Sequence, residues 1–211
     1  LEMFQRLTPG DNPDVTIGLN RVAYDIMALG RPAEALPMYE EALAIRRRIF
    51  PGDHPRVVET LFDISNCKMT LSHFGDALPA LEEALAMGKR LFPGDHQVVG
   101  TGLALLATCL DSLNRPTEAL PMSQESVAMF KRLFTGDHPQ TSWALIRLGQ
   151  NLSAAGQHAD ALPVYEEALA MYQRLFLNDH PQVAGAMDNL AAGLHGSGRL
   201  TEALQRSEEA L

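Results

Sequence analysis

The sequence predicts an all-α solenoid, a stack of antiparallel helix pairs, and three observations support this. A segment of 42 residues recurs along the chain, and each copy begins at an aspartate: Asp11, Asp53, Asp95, Asp137 and Asp179. Both halves of every copy space their apolar residues three and four apart, which is the period of an amphipathic helix. A short turn containing Gly or Asn separates the two halves. Such units cannot bury their apolar faces alone, so they must stack on one another.

Each half of a copy is predicted to form one helix, named helix A and helix B in chain order. In the first copy, helix A carries one apolar stripe formed by Val15, Leu19, Val22 and Ile26. Gly30 fits the left-handed end of helix A, and the proline two residues later fits the first turn of helix B. We therefore expect about ten long helices and no strand.

The junction between copies is predicted to be structural. The aspartate that begins each copy is expected to cap helix A. Four copies continue with a histidine, which is expected to serve the turn between repeats and its capping. Equivalent positions in stacked repeats lie roughly 10 Å apart or more, too far for these histidines to share one metal ion. These histidines are His54, His96, His138 and His180. A recurring proline inside helix B should bend that helix near its start, at Pro37, Pro79, Pro121 and Pro163.

Length and charge suggest one domain with a protein partner. We expect residues 1–211 to form one solenoid domain, because the core of a repeat array grows with the number of copies. Its repeats are 11–52, 53–94, 95–136, 137–178 and an incomplete 179–211, and residues 1–10 match the end of a preceding repeat. The formal net charge of −9 argues against nucleic acid as a partner, since phosphate binding requires a basic surface.

Neither a membrane segment nor a disulfide is expected. No apolar run approaches the roughly 20 residues of a membrane helix, and the N-terminus does not resemble a signal peptide, so a cytoplasmic location is the expectation. The two cysteines, Cys67 and Cys109, occupy the same position in adjacent copies. Their predicted separation exceeds the about 7 Å between Cα atoms that a disulfide tolerates, so both should be free thiols.

The sequence offers no constellation for catalysis. Both cysteines fall within helix A, and neither a G-x-S-x-G run nor a phosphate-binding G-x-x-x-x-G-K-[ST] run is present. Paired glutamates such as Glu40-Glu41 recur at one register of helix B, as expected for a solvated face. We therefore predict that the chain is not an enzyme, with no catalytic residue, no cofactor and no metal ion.

The repeat itself resembles a known family. Gly-Asp-His-Pro is followed by a helix and then by Glu-Ala-Leu-Pro-x-Tyr-Glu-Glu-Ala-Leu-Ala, which stands most fully at residues 34–44 and 160–170. Over essentially the whole chain this resembles the 42-residue tetratricopeptide repeats (TPR) of kinesin light chains and related bacterial proteins. The resemblance implies a right-handed superhelix with helix A on the concave face, helix B outside, and a scaffold that binds a peptide or partner helix in the groove.

Aligning the copies with that family gives the expected partner-binding residues. Trp143 is ambiguous, because a lone tryptophan can pack in the core or form an interface hot spot with Arg147. Kinesin light chains commonly carry Asn at the groove position held here by Arg21, Asp63, Leu105, Arg147 and Asn189, so their preference for acidic, aromatic-containing peptides is not expected to transfer directly. The predicted set is Asn20, Arg21, Tyr24, Phe62, Asp63, Asn66, Trp143, Arg147, Gln150 and Asn189.

A second function stays open at this stage. The sequence begins at what matches the end of one helix B and stops within another, so a piece of a longer array is expected. The array would then be a sensor or regulatory arm of a multidomain signalling protein. It would contact other domains of its own chain and act on a nucleotide-switch or protease-like effector elsewhere in that chain.

Overall fold

The computed structural model describes residues 12–176 and 180–209, and this part of the chain is helical without a strand. The fold class predicted from the 42-residue period is therefore confirmed, with 83% of the described residues in helices. The ten described helices are α1 (Pro13–Ala28), α2 (Pro32–Ile49), α3 (Pro55–Thr70), α4 (Phe74–Leu91), α5 (Gln97–Ser112), α6 (Pro116–Leu133), α7 (Pro139–Ala154), α8 (His158–Leu175), α9 (Pro181–Gly196) and α10 (Leu200–Glu209).

The helices form two compact units, residues 1–94 and residues 95–211. In the first unit α1 packs on α2 and α3 on α4, while α2 also packs on α3. In the second unit the pairs are α5 with α6, α7 with α8, and α9 with α10, and each pair packs on the next. Odd-numbered helices are thus the predicted helices A and even-numbered helices the predicted helices B. The prediction of a single domain over residues 1–211 stays a prediction.

The buried stripe of the first helix A differs by one position from the prediction. Val15 and Leu19 are buried as expected, but Val22 is 37% exposed and Ala23 is fully buried instead. Ala23 packs in a cluster with Ala35, Tyr39 and residues of α3. A small residue is suited to this place because it lets α1 approach the Tyr39 ring closely.

Helix B continues through each of its internal prolines. Pro37, Pro79, Pro121 and Pro163 are exposed and lie in the second turn of helices that run unbroken for 18 residues. Each proline removes the hydrogen bond to the carbonyl four residues earlier. That carbonyl belongs to an exposed residue in every case, so water can satisfy it. The predicted bend at these prolines stays a prediction.

The cap of helix A is the histidine and not the aspartate, so the predicted aspartate cap is wrong. In α3, His54 Nδ1 accepts a hydrogen bond from the Arg56 backbone N–H at 3.2 Å. The His54 ring stacks on Phe50, at the end of the preceding helix B, with centroids 3.7 Å apart. His96, His138 and His180 cap α5, α7 and α9 in the same way, and Asn12 caps α1 through its side chain.

The aspartate instead binds an arginine of its own repeat. Arg90 Nε donates to Asp53 Oδ2 at 2.5 Å, and Arg90 Nη2 donates to Asp53 Oδ1 at 2.8 Å. The same two-point pair joins Arg132 to Asp95 and Arg174 to Asp137. Each pair ties the start of a repeat to the end of its helix B, while Asp11 and Asp179 lie outside the described residues.

Two smaller expectations are also confirmed. Cys67 and Cys109 are buried and are not joined in a disulfide, as predicted. The paired glutamates of α2, α4 and α8 are exposed, as predicted for a solvated face. Within the described ranges, no helix is long and apolar enough to cross a membrane.

Candidate interaction surfaces on helices A

Six of the predicted partner-binding residues lie in the first unit, on neighbouring helices A. Asn20, Arg21 and Tyr24 belong to α1, and Phe62, Asp63 and Asn66 belong to α3. Arg21, Tyr24 and Asn66 are exposed, and the other three are half-buried. Asn20 Nδ2 donates to Asp63 Oδ2 at 3.2 Å, which joins the two helices.

A cavity of about 260 Å³ opens beside this hydrogen bond and defines what we call the first cavity. Of the six predicted partner-binding residues in this unit, Tyr24, Asp63 and Asn66 line the cavity, and Asn20, Arg21 and Phe62 do not. Its other lining residues were not predicted: Met27 and Ala28 at the end of α1, and Tyr39 on α2. Burial raises the pKa of Asp63 to about 6, although nearby Arg46 acts in the opposite direction.

Arg46 is the buried cation of the first unit, with 2% of its surface exposed. Its Nε donates to Thr16 Oγ1 at 3.2 Å, its Nη1 donates to the Arg56 carbonyl at 2.9 Å, and Nη1 also bonds Thr60 Oγ1. Burial lowers the pKa of Arg46. The side chain therefore holds α1, α2 and α3 together, while its charge influences Asp63 from below the surface.

The other four predicted residues lie in the second unit and form a continuous hydrogen-bonded row. Arg147 Nη1 donates to Gln150 Oε1 at 3.2 Å, and Gln150 Nε2 donates to Asn189 Oδ1 at 2.8 Å. Asn189 Nδ2 then donates to the Gly185 carbonyl at 2.6 Å. Because the row begins on α7 and ends on α9, it fixes two successive helices A to each other.

The Trp143 side chain combines the two alternatives that the sequence left open, because it packs on the core and also lies next to Arg147. The Trp143 ring is half-buried and packs on the apolar core of the second unit. The guanidinium carbon of Arg147 lies 5.6 Å from the ring centroid, a cation–π distance. Burial lowers the pKa of Arg147, and its buried Nε has no hydrogen-bond partner. Within the described part of the chain, no carboxylate forms an ion pair with Arg147.

These residues line a second cavity, of about 220 Å³. The four predicted partner-binding residues Trp143, Arg147, Gln150 and Asn189 line this cavity. Its other lining residues were not in the predicted set: Ile146, Tyr172, Gln182, Gly185 and Ala186. Tyr172 is the informative omission, because it comes from a helix B. It stands 42 residues after Phe130 and 84 after Gly88, so its register position was visible in the sequence.

The ten predicted residues thus fall into two local surfaces, one in each unit. That they form one continuous groove and bind a partner stays a prediction. Among residues 12–176 and 180–209, no group of three or more His, Cys, Asp or Glu residues could hold a metal ion.

Comparison with known proteins identifies the family. The tetratricopeptide repeat profile matches residues 14–90, 99–174 and 154–211. No curated protein matches in a sequence search. Among solved structures, nearly identical TPR-like repeats assigned to a kinesin light chain of Podosopora anserina superpose with a TM-score of 0.76 at 19% identity, over 94% of both chains.

Two further structures share the fold. BtubC (BKLC) from P. vanneervenii aligns with a TM-score of 0.72 at 18% identity, over 93% of this chain and 85% of that one. A Rap protein complexed with the competence and sporulation factor aligns with a TM-score of 0.81 at 14% identity, over 99% of this chain and 56% of the Rap protein. The sequence profile and these folds agree, and the chain belongs to the tetratricopeptide repeat family.

Proposed function

We propose that this chain is a protein-interaction scaffold that binds a peptide or a partner helix against its helices A. The observation that carries the proposal is the second cavity, where Trp143 and the row from Arg147 to Asn189 line an open space. Tetratricopeptide repeats and their fold generally serve as scaffolds and not as catalysts. The formal net charge of −9 supports a protein rather than a nucleic acid as partner.

In the free protein, no carboxylate among the described residues balances the positive charge of Arg147. A partly buried cation loses hydration, and this loss is normally offset by a carboxylate or by a full set of acceptors. Arg147 has only Gln150 and the Trp143 ring, and its Nε has no acceptor. A partner carboxylate would supply both the charge and the missing acceptor.

The aromatic part of the cavity supplies apolar contact for the same partner. Trp143 and Tyr172 present ring surface beside Ile146 and Ala186. Tryptophan and arginine are the residue types most enriched in interface hot spots. We therefore expect the bound segment to place an acidic side chain at Arg147 and an apolar side chain at Trp143.

Known structures with this fold support peptide binding as the general activity. The Rap protein above was crystallised with the competence and sporulation factor. YrrB, described as a TPR protein with an unusual peptide-binding site, aligns with a TM-score of 0.51 at 20% identity. These observations concern those proteins, and they make binding of a peptide segment the activity to test here.

The test removes the second cavity's two anchors together. Affinity capture with the wild-type chain and with W143A/R147A identifies proteins that only the wild type retains, and calorimetry then measures each of them. We expect the double variant to lose more than about 2 kcal/mol of affinity, roughly thirtyfold, as hot-spot residues do. The matched control is E166A/Q173A on the exposed face of α8, which should bind as the wild type does.

Unchanged affinity in W143A/R147A, with helicity intact by circular dichroism, would contradict the proposal and place binding elsewhere. Equal loss in E166A/Q173A would point to a global effect on the fold.

The regulatory arm remains the second candidate function. The Rap structure favours it, since this chain aligns with only 56% of a longer protein that was solved with a bound factor. In that case the segment retained by the second cavity would belong to another part of the same polypeptide.

A further inference from the structure

The first cavity has the opposite charge to the second. Asp63 is the one charged residue among the described residues that line the first cavity, and Arg147 is the one charged residue among those that line the second. The volume of about 260 Å³ is far more than the about 15 Å³ that one water molecule needs. The space can therefore admit a side chain.

The Asp63 carboxylate is the charged acceptor at this cavity, and a second acceptor group lies buried next to it. Asp63 receives a hydrogen bond from Asn20 Nδ2. The other atom of that amide, Asn20 Oδ1, is buried and accepts no hydrogen bond. Arg46 is the cation that acts on Asp63, but its guanidinium is bonded to Thr16, Thr60 and the Arg56 carbonyl.

The remaining walls suit the stem of a long cationic side chain. Tyr24 is 68% exposed, so its ring face is open to a ligand. Met27 and Ala28 add apolar surface next to it. Aromatic faces attract ammonium and guanidinium groups, and the methylene stems of lysine and arginine pack on apolar surface.

We propose that the first cavity binds a lysine or arginine side chain of the protein partner, with the cationic head at Asp63 and the stem between Tyr24 and Met27. The proposal deepens the proposed function and rests on it, because it names the chemistry that a partner segment must carry at the first unit. The second cavity selects an acidic group, so the two surfaces select for opposite charges.

The electrostatics of Asp63 agree with this geometry. Burial raises the pKa of Asp63 to about 6, Arg46 lowers it and Glu59 raises it further. The carboxylate is therefore ionised at neutral pH but poorly compensated. A cation in contact with it restores the lost stabilisation, and protonation of Asp63 weakens the attraction progressively as the pH falls through about 6.

The test uses capped single residues as probes, so no partner has to be known. The full chain, labelled with ¹⁵N, is titrated with N-acetyl-lysine methylamide and with the arginine analogue, and amide shifts are followed by NMR at about pH 7.4 and about pH 5, on either side of the raised pKa. Capped norleucine and capped glutamate are the controls for apolar stem and for charge. We expect saturable shifts at Tyr24, Asp63 and Asn66 with the cationic probes only, weakened at the lower pH.

The variants make the test specific to the site. D63N preserves the size of the side chain and should lower the affinity for the lysine probe at least about tenfold, as removal of one partner of a charge pair does. D76N removes one exposed charge from α4 of the same unit and should bind as the wild type does. Y24A, at an exposed position, provides a second site variant with little risk to the fold.

Equal shifts from norleucine, or unchanged lysine binding in D63N, would overturn the proposal. W143A/R147A should bind the lysine probe normally. If that variant loses the partner while the wild type shows no lysine binding, the present inference fails and the proposed function stands. If the lysine probe binds but W143A/R147A keeps the partner, the proposed function fails at the second cavity.

Discussion

Substituting Gly149 with alanine should destabilise the second unit, although the same change in most helices is stabilising. Gly149 lies in the middle of α7, directly against the ring of Tyr165 on α8. A Cβ atom added there would lie 2.4 Å from Tyr165 Cε1 and 2.7 Å from Cδ1. The ring cannot simply move away, because its other edge faces Gly193 of α9, where an added Cβ would be 3.1 Å from Cδ2.

Two effects of opposite sign set the magnitude. Alanine in a helix interior is favoured over glycine by about 1 kcal/mol. Overpacking a close-packed core typically costs about 1–3 kcal/mol. The first repeat packs Ala23 against Tyr39 at the same two positions, but at the present spacing of α7 and α8 an added Cβ overlaps the Tyr165 ring, so these helices or the ring must shift and the cost belongs at the upper end of that range. We therefore expect G149A to lower the free energy of unfolding by about 1–2 kcal/mol, the difference between the two terms.

Urea denaturation followed by far-ultraviolet circular dichroism measures this change, and hydrogen exchange on α7 and α8 localises it. G185A is the control, since Gly185 is also within a helix but a Cβ atom added to it would have no atom within 4 Å. It should be as stable as the wild type or more so. G149A/Y165L tests the cause, because the second repeat has Leu81 at the position of Tyr165. A G149A chain as stable as G185A would refute the steric reasoning.

Two further predictions concern the junctions between repeats. H54A should cost about 1 kcal/mol as a lost helix cap, whereas H54N should retain the cap, as Asn12 does in the first repeat. Burial lowers the pKa of His54, so the stability that this cap contributes is present above about pH 6.5 and is lost as the pH falls through the lowered pKa. Asparagine does not titrate, so the urea midpoint of H54N relative to that of the wild type should be higher at about pH 5 than at about pH 8. D137N should lower the urea midpoint slightly at low salt, and hardly at all in about 1 M NaCl, because its pair with Arg174 is exposed to solvent. An unchanged difference at high salt would show that Asp137 acts through something other than charge.

The sequence predicted the helices because their apolar spacing and period are local properties of the chain. It assigned the cap of helix A to the aspartate, a strong cap residue, and gave the histidine only a general role in the turn and its capping. Two contacts favour the histidine over the aspartate as the cap: Phe50 stacks on His54, and Arg90 binds the Asp53 carboxylate. The first repeat did contain the signal, since Asn12 holds the place of His54 and asparagine is itself a strong cap.

The sequence predicted which helix A residues share a face, but it did not predict the contacts between helices. Aligning the helices A identified Arg147, Gln150 and Asn189, because residues at one register share one face. It could not show that their amides and guanidinium join in one row, since that depends on the spacing of α7 and α9. Nor could it show that Tyr39 and Tyr172 reach the cavities from helices B.

One position of helix B accounts for much of the difference between the local surfaces. It is occupied by Arg46, Gly88, Phe130 and Tyr172 in the first four repeats. Arg46 bonds Thr16 and Thr60 and places a buried positive charge near Asp63, whereas Phe130 is fully buried against Gly100. Tyr172 reaches the second cavity beside Arg147. Because Arg46, Phe130 and Tyr172 contact the helices A, the residue at this position determines what lies beneath their exposed side chains. The repeats therefore share a backbone plan while this position gives each one a different local chemistry.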